Sequence, residues 1–291
     1  MAVVIITGSN SGFGFEGALA FARNGDTVYA TMRDVAKGGA LRRAADAEHL
    51  AIRISRLDVS QPQTFDAFTK KVSGEAGGID VLVNNAGIVR PGALEDLSES
   101  ALRLVMETNF FGPMLLTRAV LPQMRKQQSG FIIMTSSLSG IAGLPGETAY
   151  TASKFALEGA TEALRHEIDR WGIKVALVEA GMYSTAIFDS YTSGENLLPG
   201  NYPEHSPYRA LIESQLRSIR DRKSEAFDPR RVGALFVTIA QSDGRQLRWP
   251  ADEVATKVLD SMFAQDDAAR DAFLRMVSGT QWWSEGRDDA G

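Results

Sequence analysis

AVVIITGSNSGFG, Ala2 to Gly14, runs from an unbroken apolar stretch into a glycine-rich turn and on into a helical pattern. Valine and isoleucine crowd the backbone and favour extended chain, and a short run with no polar alternation fits a strand buried on both faces. The turn has the form TGxxxGxG. Gly8 permits a tight bend, Gly12 lets backbone approach a ligand, Gly14 lets helix and strand pack closely, and the helix start offers free amides to phosphate groups. Strand, glycine turn and helix in this order predict a mononucleotide-binding unit.

The same alternation continues outward. Apolar runs at 2–7, 27–32, 50–57, 79–84, 130–136 and 173–179 are separated by helical patterns at 12–24, 61–75, 98–126 and 149–171. Strands alternating with helices imply βαβ units and a parallel sheet covered on both faces. Polar or glycine residues close each run: Thr7 and Gly8, Arg33, Asp58 and Val59, Asn84 to Gly87, Ser136 and Ser137, and Ala180 and Gly181. In an open parallel sheet all of these fall on the carboxyl edge, where such sheets bind ligands at the switch in strand order. The expected architecture is a Rossmann-type, doubly wound α/β sheet in a single domain. Its core covers about 2–180 and 229–260, a helical substrate lid covers 182–228, and a C-terminal tail covers 265–291.

The 291 residues hold 44% hydrophobic and 23% charged side chains, an ordinary soluble composition, and a net charge of -5 argues against a nucleic-acid surface. There is no cysteine, which excludes thiolate chemistry and disulfides, and His49, His166 and His205 lie too far apart in sequence for a metal motif, so no metal is expected. MAVVIITGSN lacks a basic leader region and no run approaches the ~20 apolar residues of a membrane span, so a cytoplasmic protein is expected. Asn10, Ser11 and Phe13 complete the glycine loop and are expected at the nucleotide. At the end of the second strand Met32 stands where an acid would meet a free ribose 2′-hydroxyl, and Arg33 follows, placed to pair with a 2′-phosphate. This favours NADP (NADPH) over NAD; a register two residues later would instead put Asp34 on the ribose.

YTASKFALEG, 150 to 159, sets a tyrosine and a lysine one helical turn apart on one face. With TGSNSGFG, LDV, NNAG and a serine 13 residues before the tyrosine, in this order, the chain resembles the short-chain dehydrogenase/reductase family. VYATMRD and YTASKFALEG resemble most the branch with 17β-hydroxysteroid and retinol dehydrogenases. The resemblance covers about 2–190, with a weaker echo to about 250. It implies that Tyr150 is a general acid/base, that Lys154 holds the nicotinamide ribose and lowers the tyrosine pKa, that Ser137 orients the substrate oxygen and that Asn109 supports a proton-relay water. It further implies Asp58 and Val59 at adenine, Asn84, Asn85, Ala86 and Gly87 along the cofactor cleft, and Gly181 and Thr185 near the carboxamide. Ser136 or Ser139 could replace Ser137, and Asn109 could instead patch a break in a helix. The family's usual ProGly after the sixth strand is Ala180 and Gly181 here.

Bringing a phenol from a pKa of ~10 to about 7 requires roughly 4 kcal/mol of preferential stabilisation. An ammonium at about 4 Å contributes ~4 kcal/mol at an effective dielectric near 20, while burial opposes it. The remainder falls to the positive charge of an oxidised nicotinamide. The expected function is an NADP(H)-dependent oxidoreductase interconverting a secondary alcohol and a ketone, or an aldehyde. Alternatives are an idle nucleotide sensor on the same fold and an enzyme of small carbonyls. The long segment from Met182 to about Asp228 carries Tyr183, Ile187, Phe188, Tyr191, Leu197, Leu198, Tyr202 and Tyr208, and faces Leu138, Ile141, Leu144 and Pro145 with Ile88 and Val89. Arg90 and Arg209 are the only cations among them, so a hydrophobic carbonyl or alcohol is the expected substrate, with Leu138, Leu144, Tyr183 and Phe188 lining its pocket. The helices at 98–126 and 149–171 are expected to pair copies of the chain into a homodimer or homotetramer.

Overall fold

The structure, a computed structural model, describes residues 1–188, 202–264, 269, 272, 275–277, 279, 281–284 and 287. Seven parallel strands form one sheet: β1 (Val3–Ile6), β2 (Thr27–Met32), β3 (Ile52–Arg56), β4 (Val81–Asn84), β5 (Gly130–Thr135), β6 (Ile173–Glu179) and β7 (Arg248–Pro250). Their order is β3-β2-β1-β4-β5-β6-β7, so the order reverses between β1 and β4 and opens a crevice there. Six of these are the strands expected; β7 is a seventh, three residues long, paired through Val178 with Trp249.

The pleat sends alternate residues to opposite faces, and each face is apolar because each is covered. On one face Val4, Val83, Ile133 and Val178 pack with helices α1 (Gly12–Arg23), α2 (Gly39–Ala47) and, from the C-terminal part, the helix of Arg230–Ala240. On the other, Ile5, Leu82, Ile132 and Leu177 meet α3 (Phe65–Ala76), the helix of Gly112–Gln127 and the helix of Thr148–Ile168. The expected helix at 98–126 is three pieces: α4 (Glu99–Met106), a wider π-type turn over Glu107–Phe111, and α5 (Gly112–Gln127). The 149–171 helix is α6 (Thr148–Ile168), followed by α7 (Arg209–Asp221), α8 (Arg230–Ala240), α9 (Glu253–Ala264) and the single turn α10 (Gln281–Ser284). The helix α2 carries no expectation from the sequence, because its ALRRAADA pattern is too polar to announce a buried face beyond Leu41 and Ala45.

Of the lid residues, Tyr191, Leu197 and Leu198 lie outside the described residues, as does the side chain of Phe188. Trp282 of the tail is buried. Among the described residues no helix is long and apolar enough to cross a membrane, and no cluster of three metal-ligating side chains occurs.

Leu82 sits fully buried in a central strand, so Leu82→Ala is expected to lower unfolding free energy by about 2–5 kcal/mol in urea titration. Leu94→Ala, at an exposed position, is expected to stay within about 0.5 kcal/mol.

Candidate active site

A cleft of about 550 Å³ lies over the carboxyl edge at the reversal point. Its floor is a knot between the exits of β1 and β4. Thr7 Oγ1 accepts from the backbone N–H groups of Asn85 and Ala86, both at 2.9 Å, while Asn85 Nδ2 donates to the carbonyls of Thr7 (2.9 Å) and Gly8 (3.3 Å). Gly8 takes a left-handed φ of +70°, and a Cβ there would come within 2.9 Å of Ala86 Cα. At Gly14 a Cβ would stand 2.4 Å from the Gly8 carbonyl oxygen, so only glycine lets α1 begin this close to the loop.

Gly8, Asn10, Ser11, Gly12, Phe13, Asp58, Val59, Asn85, Ala86, Gly87, Gly181 and Thr185 line the cleft. Asn84 does not: it is the last residue of β4, and its amide donates to Thr117 Oγ1 at 3.0 Å within the core. Arg33 lines the outer end, joined by Lys37, which the sequence reading passed over. Met32 is buried as the last residue of β2, and Asp34 turns its carboxylate back to the Ala36 N–H at 3.0 Å, starting a helical turn. The glycine cradle and the pair of cations fit a dinucleotide whose adenosine end carries an anionic group.

The inner end gathers Ser137, Tyr150 and Lys154. Lys154 Nζ donates to the Thr135 carbonyl at 2.7 Å and stands 5.6 Å from the centre of the Tyr150 ring. The Ser137 hydroxyl lies beside the Tyr150 phenol, close enough to favour its ionised form. Ser139 donates to Glu147 at 2.7 Å, and Ser136 faces Glu158, so of the three serines it is Ser137 that meets the phenol. Burial pushes Tyr150 above its ordinary pKa, the Ser137 hydroxyl opposes this, and nearby Glu147 adds to it. Burial likewise pulls the Lys154 ammonium down to about 8, against the attraction of Glu158. In the protein alone burial sets the direction of the phenol's shift, opposite to the one expected from the sequence.

Asn109 lies inside the π-type turn. Its amide donates to the Ile88 carbonyl (2.9 Å) and to Ser153 Oγ (3.0 Å), and its oxygen accepts from the Ile88 N–H (2.9 Å). Its side chain thus ties the NNAG loop to α6 from within the break.

The substrate-side expectations change more. Leu138 packs toward Val258 and Met262 of α9, and neither it nor Leu144 lines the cleft; Ile88, Leu104, Ala186 and Ile187 do. That α9 comes to rest against the Ser137 turn is not legible in any local pattern of the chain. Tyr183 borders the cleft, yet its ring is buried against Phe13 and Phe227 and its hydroxyl donates to the Ala251 carbonyl at 2.8 Å. Behind Tyr150, Val89, Ala93, Tyr202, Ile212 and Leu216 form an apolar wall. Tyr202 donates to Asp96, and Tyr208 to Glu95, fastening the chain just before α7 to the loop before α4. Arg209 is paired with Glu204 and Glu213, which leaves Arg90 as the described cation of the lid side that lines the cleft. Asp252, also missed, accepts from the Gly181 N–H (3.0 Å) and caps α9 through the Ala255 N–H (2.8 Å). Its position just before a helical run was the available signal.

Residues 2–196 match the family model described as short chain dehydrogenase. The chain is 38% identical over 251 residues to an uncharacterized oxidoreductase, YusZ, of Bacillus subtilis, covering 85% of this chain and 88% of that protein. It is 35% identical over 255 residues to 17-beta-hydroxysteroid dehydrogenase type 1 of Mus musculus, covering 85% and 72%. The crystal structure of a short-chain dehydrogenase from Streptomyces avermitilis superposes with a TM-score of 0.77 at 31% identity, covering 96% of this chain and 98% of that one.

Lys154 has a folded pKa of about 8 against an ordinary 10.5, so the unfolded chain holds the extra proton between these values. Stability from this group therefore rises with pH through that window, and below about pH 8 the buried ammonium imposes its full penalty, on the order of 3 kcal/mol. Lys154→Met, without added nucleotide, is expected to be more stable than the parent at pH 7 by about that amount in urea titration, with the gap closing as pH rises to 10.5.

Proposed function

The chain belongs to the short-chain dehydrogenase family and is an NAD(P)-dependent oxidoreductase, and from that premise we propose that it uses NADP(H) to interconvert a secondary alcohol and a ketone, or an aldehyde, on a bulky, mostly apolar substrate. The observation that carries the reaction is the meeting of Ser137, Tyr150 and Lys154 at the inner end of the cleft. In this reading the Ser137 hydroxyl holds the substrate oxygen, and Tyr150 gives it a proton in reduction or takes one in oxidation. Lys154 binds the ribose side and supports the phenolate. The nicotinamide, when bound, supplies or accepts the hydride. Asn109 fixes Ile88 and Ser153, and so the spacing between the NNAG loop and the catalytic helix.

Arg33 and Lys37 at the adenosine end, with Asp34 engaged in its own turn, support the preference for the phosphorylated cofactor. The apolar wall of Val89, Tyr202, Ile212 and Leu216, together with Ile88, Leu104 and Ile187, supports a large uncharged substrate under the lid of 182–228. Such a ligand is of steroid-like, terpenoid or aryl type. Phe111 and Phe155 stand exposed on the α4–α5 and α6 side, which supports pairing of copies through these helices, and the proposed setting is the cytoplasm.

Three measurements test this. Tyr150→Phe is expected to lose at least ~3 orders of magnitude in turnover with nearly unchanged cofactor affinity; retained turnover would remove Tyr150 from its role. The parent is expected to favour NADPH over NADH by roughly 10-fold or more in kcat/KM, and Arg33→Ala with Lys37→Ala to erase most of that, equal use of both cofactors by the parent counting against the reading. Across carbonyl compounds graded from acetone-sized to polycyclic, kcat/KM is expected to climb with apolar size, and a flat or falling trend would sink the substrate class.

A further inference from the structure

The buried face of α6 does not end with the tyrosine and lysine. Tyr150, Ser153, Lys154, Leu157, Glu158 and Thr161 form one continuous buried stripe, with Glu158 one helical turn beyond Lys154. A carboxylate in such a place demands a partner, since an unpaired buried charge is strongly disfavoured. Its partner comes from the far end of the chain: Arg248 of β7 places Nε 3.0 Å from Glu158 Oε2 and Nη2 3.1 Å from Glu162 Oε2 at the surface. The other oxygen, Oε1, is buried beside Ser136 with no further hydrogen bond. Gly140 makes the room, because a Cβ there would stand 2.6 Å from Ser136 Oγ and 3.3 Å from Glu158 Oε1.

We propose that Glu158 is a positioning residue for the reaction, a buried carboxylate fixed by the Arg248 guanidinium one helical turn from Lys154, whose negative charge favours the ammonium form of that lysine. This rests on the assignment of the chemistry to Tyr150 and Lys154. The groups facing the pair are few. On α6 these are Tyr150, with Glu147 beyond it, and Glu162; on β7 there is Arg248; at the end of β6 there is Glu179, and after β5 Ser136. Glu179 is fully buried, and burial together with the Glu158 charge pushes it up to about 9, so at neutral pH it is an uncharged acid. Burial pushes Glu158 up as well, but the Ser136 hydroxyl, the Arg248 guanidinium and the Lys154 ammonium all oppose that, which makes it the more readily ionised of the two acids. Its attraction opposes the burial that draws the Lys154 proton off, and without it the lysine enters the working pH range as a neutral amine.

The test follows the ε-carbon resonance of Lys154 in carbon-13-labelled protein through a pH titration, assigned by its loss in Lys154→Met, alongside pH profiles of kcat/KM and of NADPH affinity. Glu158→Gln is expected to lower the Lys154 midpoint by about one pH unit or more and to move the alkaline limb of kcat/KM by the same amount. NADPH affinity is expected to fall roughly 10-fold at pH 8 and to stay within about 2-fold at pH 6. Glu179→Gln, an amide for a neutral acid, is expected to leave the midpoint within ~0.3 pH unit. The variant carrying both changes is expected to match Glu158→Gln, which closes the route by which Glu179 could ionise in compensation. If Glu158→Gln does not fold, Glu158→Asp, with its shorter reach, is expected to give a smaller shift in the same direction. A folded Glu158→Gln whose Lys154 midpoint and pH profile stay in place, with activity merely reduced at every pH, overturns the proposal and leaves the assigned reaction standing. If no carbonyl is reduced by the parent, the reaction assignment fails while the lysine titration still decides the role of Glu158.

Discussion

The tie between Thr7 and Asn85 is the constraint on which the site depends. At the reversal point β1 and β4 are neighbours whose chains leave in different directions, so beyond the last ladder bond nothing in the sheet itself holds their exits together. One threonine hydroxyl and one asparagine amide supply that hold through four bonds across 78 or so positions of chain. Gly8 and Gly14 are required because this knot leaves no space for a side chain at either place. The cleft floor, and with it the distance from the glycine loop to Tyr150, follows from this closure.

At the opposite end of the cleft the governing balance is between burial and charge. Tyr150, Lys154 and Glu158 share one buried helical stripe, so the rigidity of α6 sets their spacing and no loop intervenes. Burial works against both reactive groups: it raises the phenol and lowers the amine, each away from its ionised form. In the proposed reaction, charge that favours the phenolate must therefore come from what binds in the cleft. Enclosure that raises these costs also strengthens every favourable interaction made inside the cleft.

How legible the molecule was from its sequence depends on the range of each interaction. The glycine loop, the six longer strands and the Tyr150 and Lys154 pair are local patterns, and they stand where expected. Asn84 shows the first kind of failure: a step of one residue from Asn85 at a strand end turns a side chain from the cleft to the core, and composition does not mark the step. Leu138 shows a second, since its direction is set by α9, which arrives from more than a hundred residues away. Lys37 was passed over because the turn that carries it toward the cleft is built by Asp34, itself weighed only as a ligand of the ribose. The burial of Tyr183 belongs with these, as its partners Phe227 and Ala251 lie far along the chain.

These long-range contacts converge on the C-terminal segment. A proline at position 180 would stiffen the loop after β6 by fixing its own φ. With Ala180 there, the stiffness comes from elsewhere. The Gly181 N–H is held by Asp252, which is in turn fixed as the cap of α9; the Tyr183 hydroxyl is held by Ala251; and the backbone of Met182 and Ser184 pairs with Phe227. Thr185, which leans against Gly12 across the cleft, is thus located by bonds to residues 227–255. Arg248 in the same segment supplies the cation that pairs with Glu158 in the core. A three-residue strand and the helix after it therefore do for this site what one proline and a shorter chain could not, since they brace the loop above the cleft and the Glu158 carboxylate behind Lys154 at once.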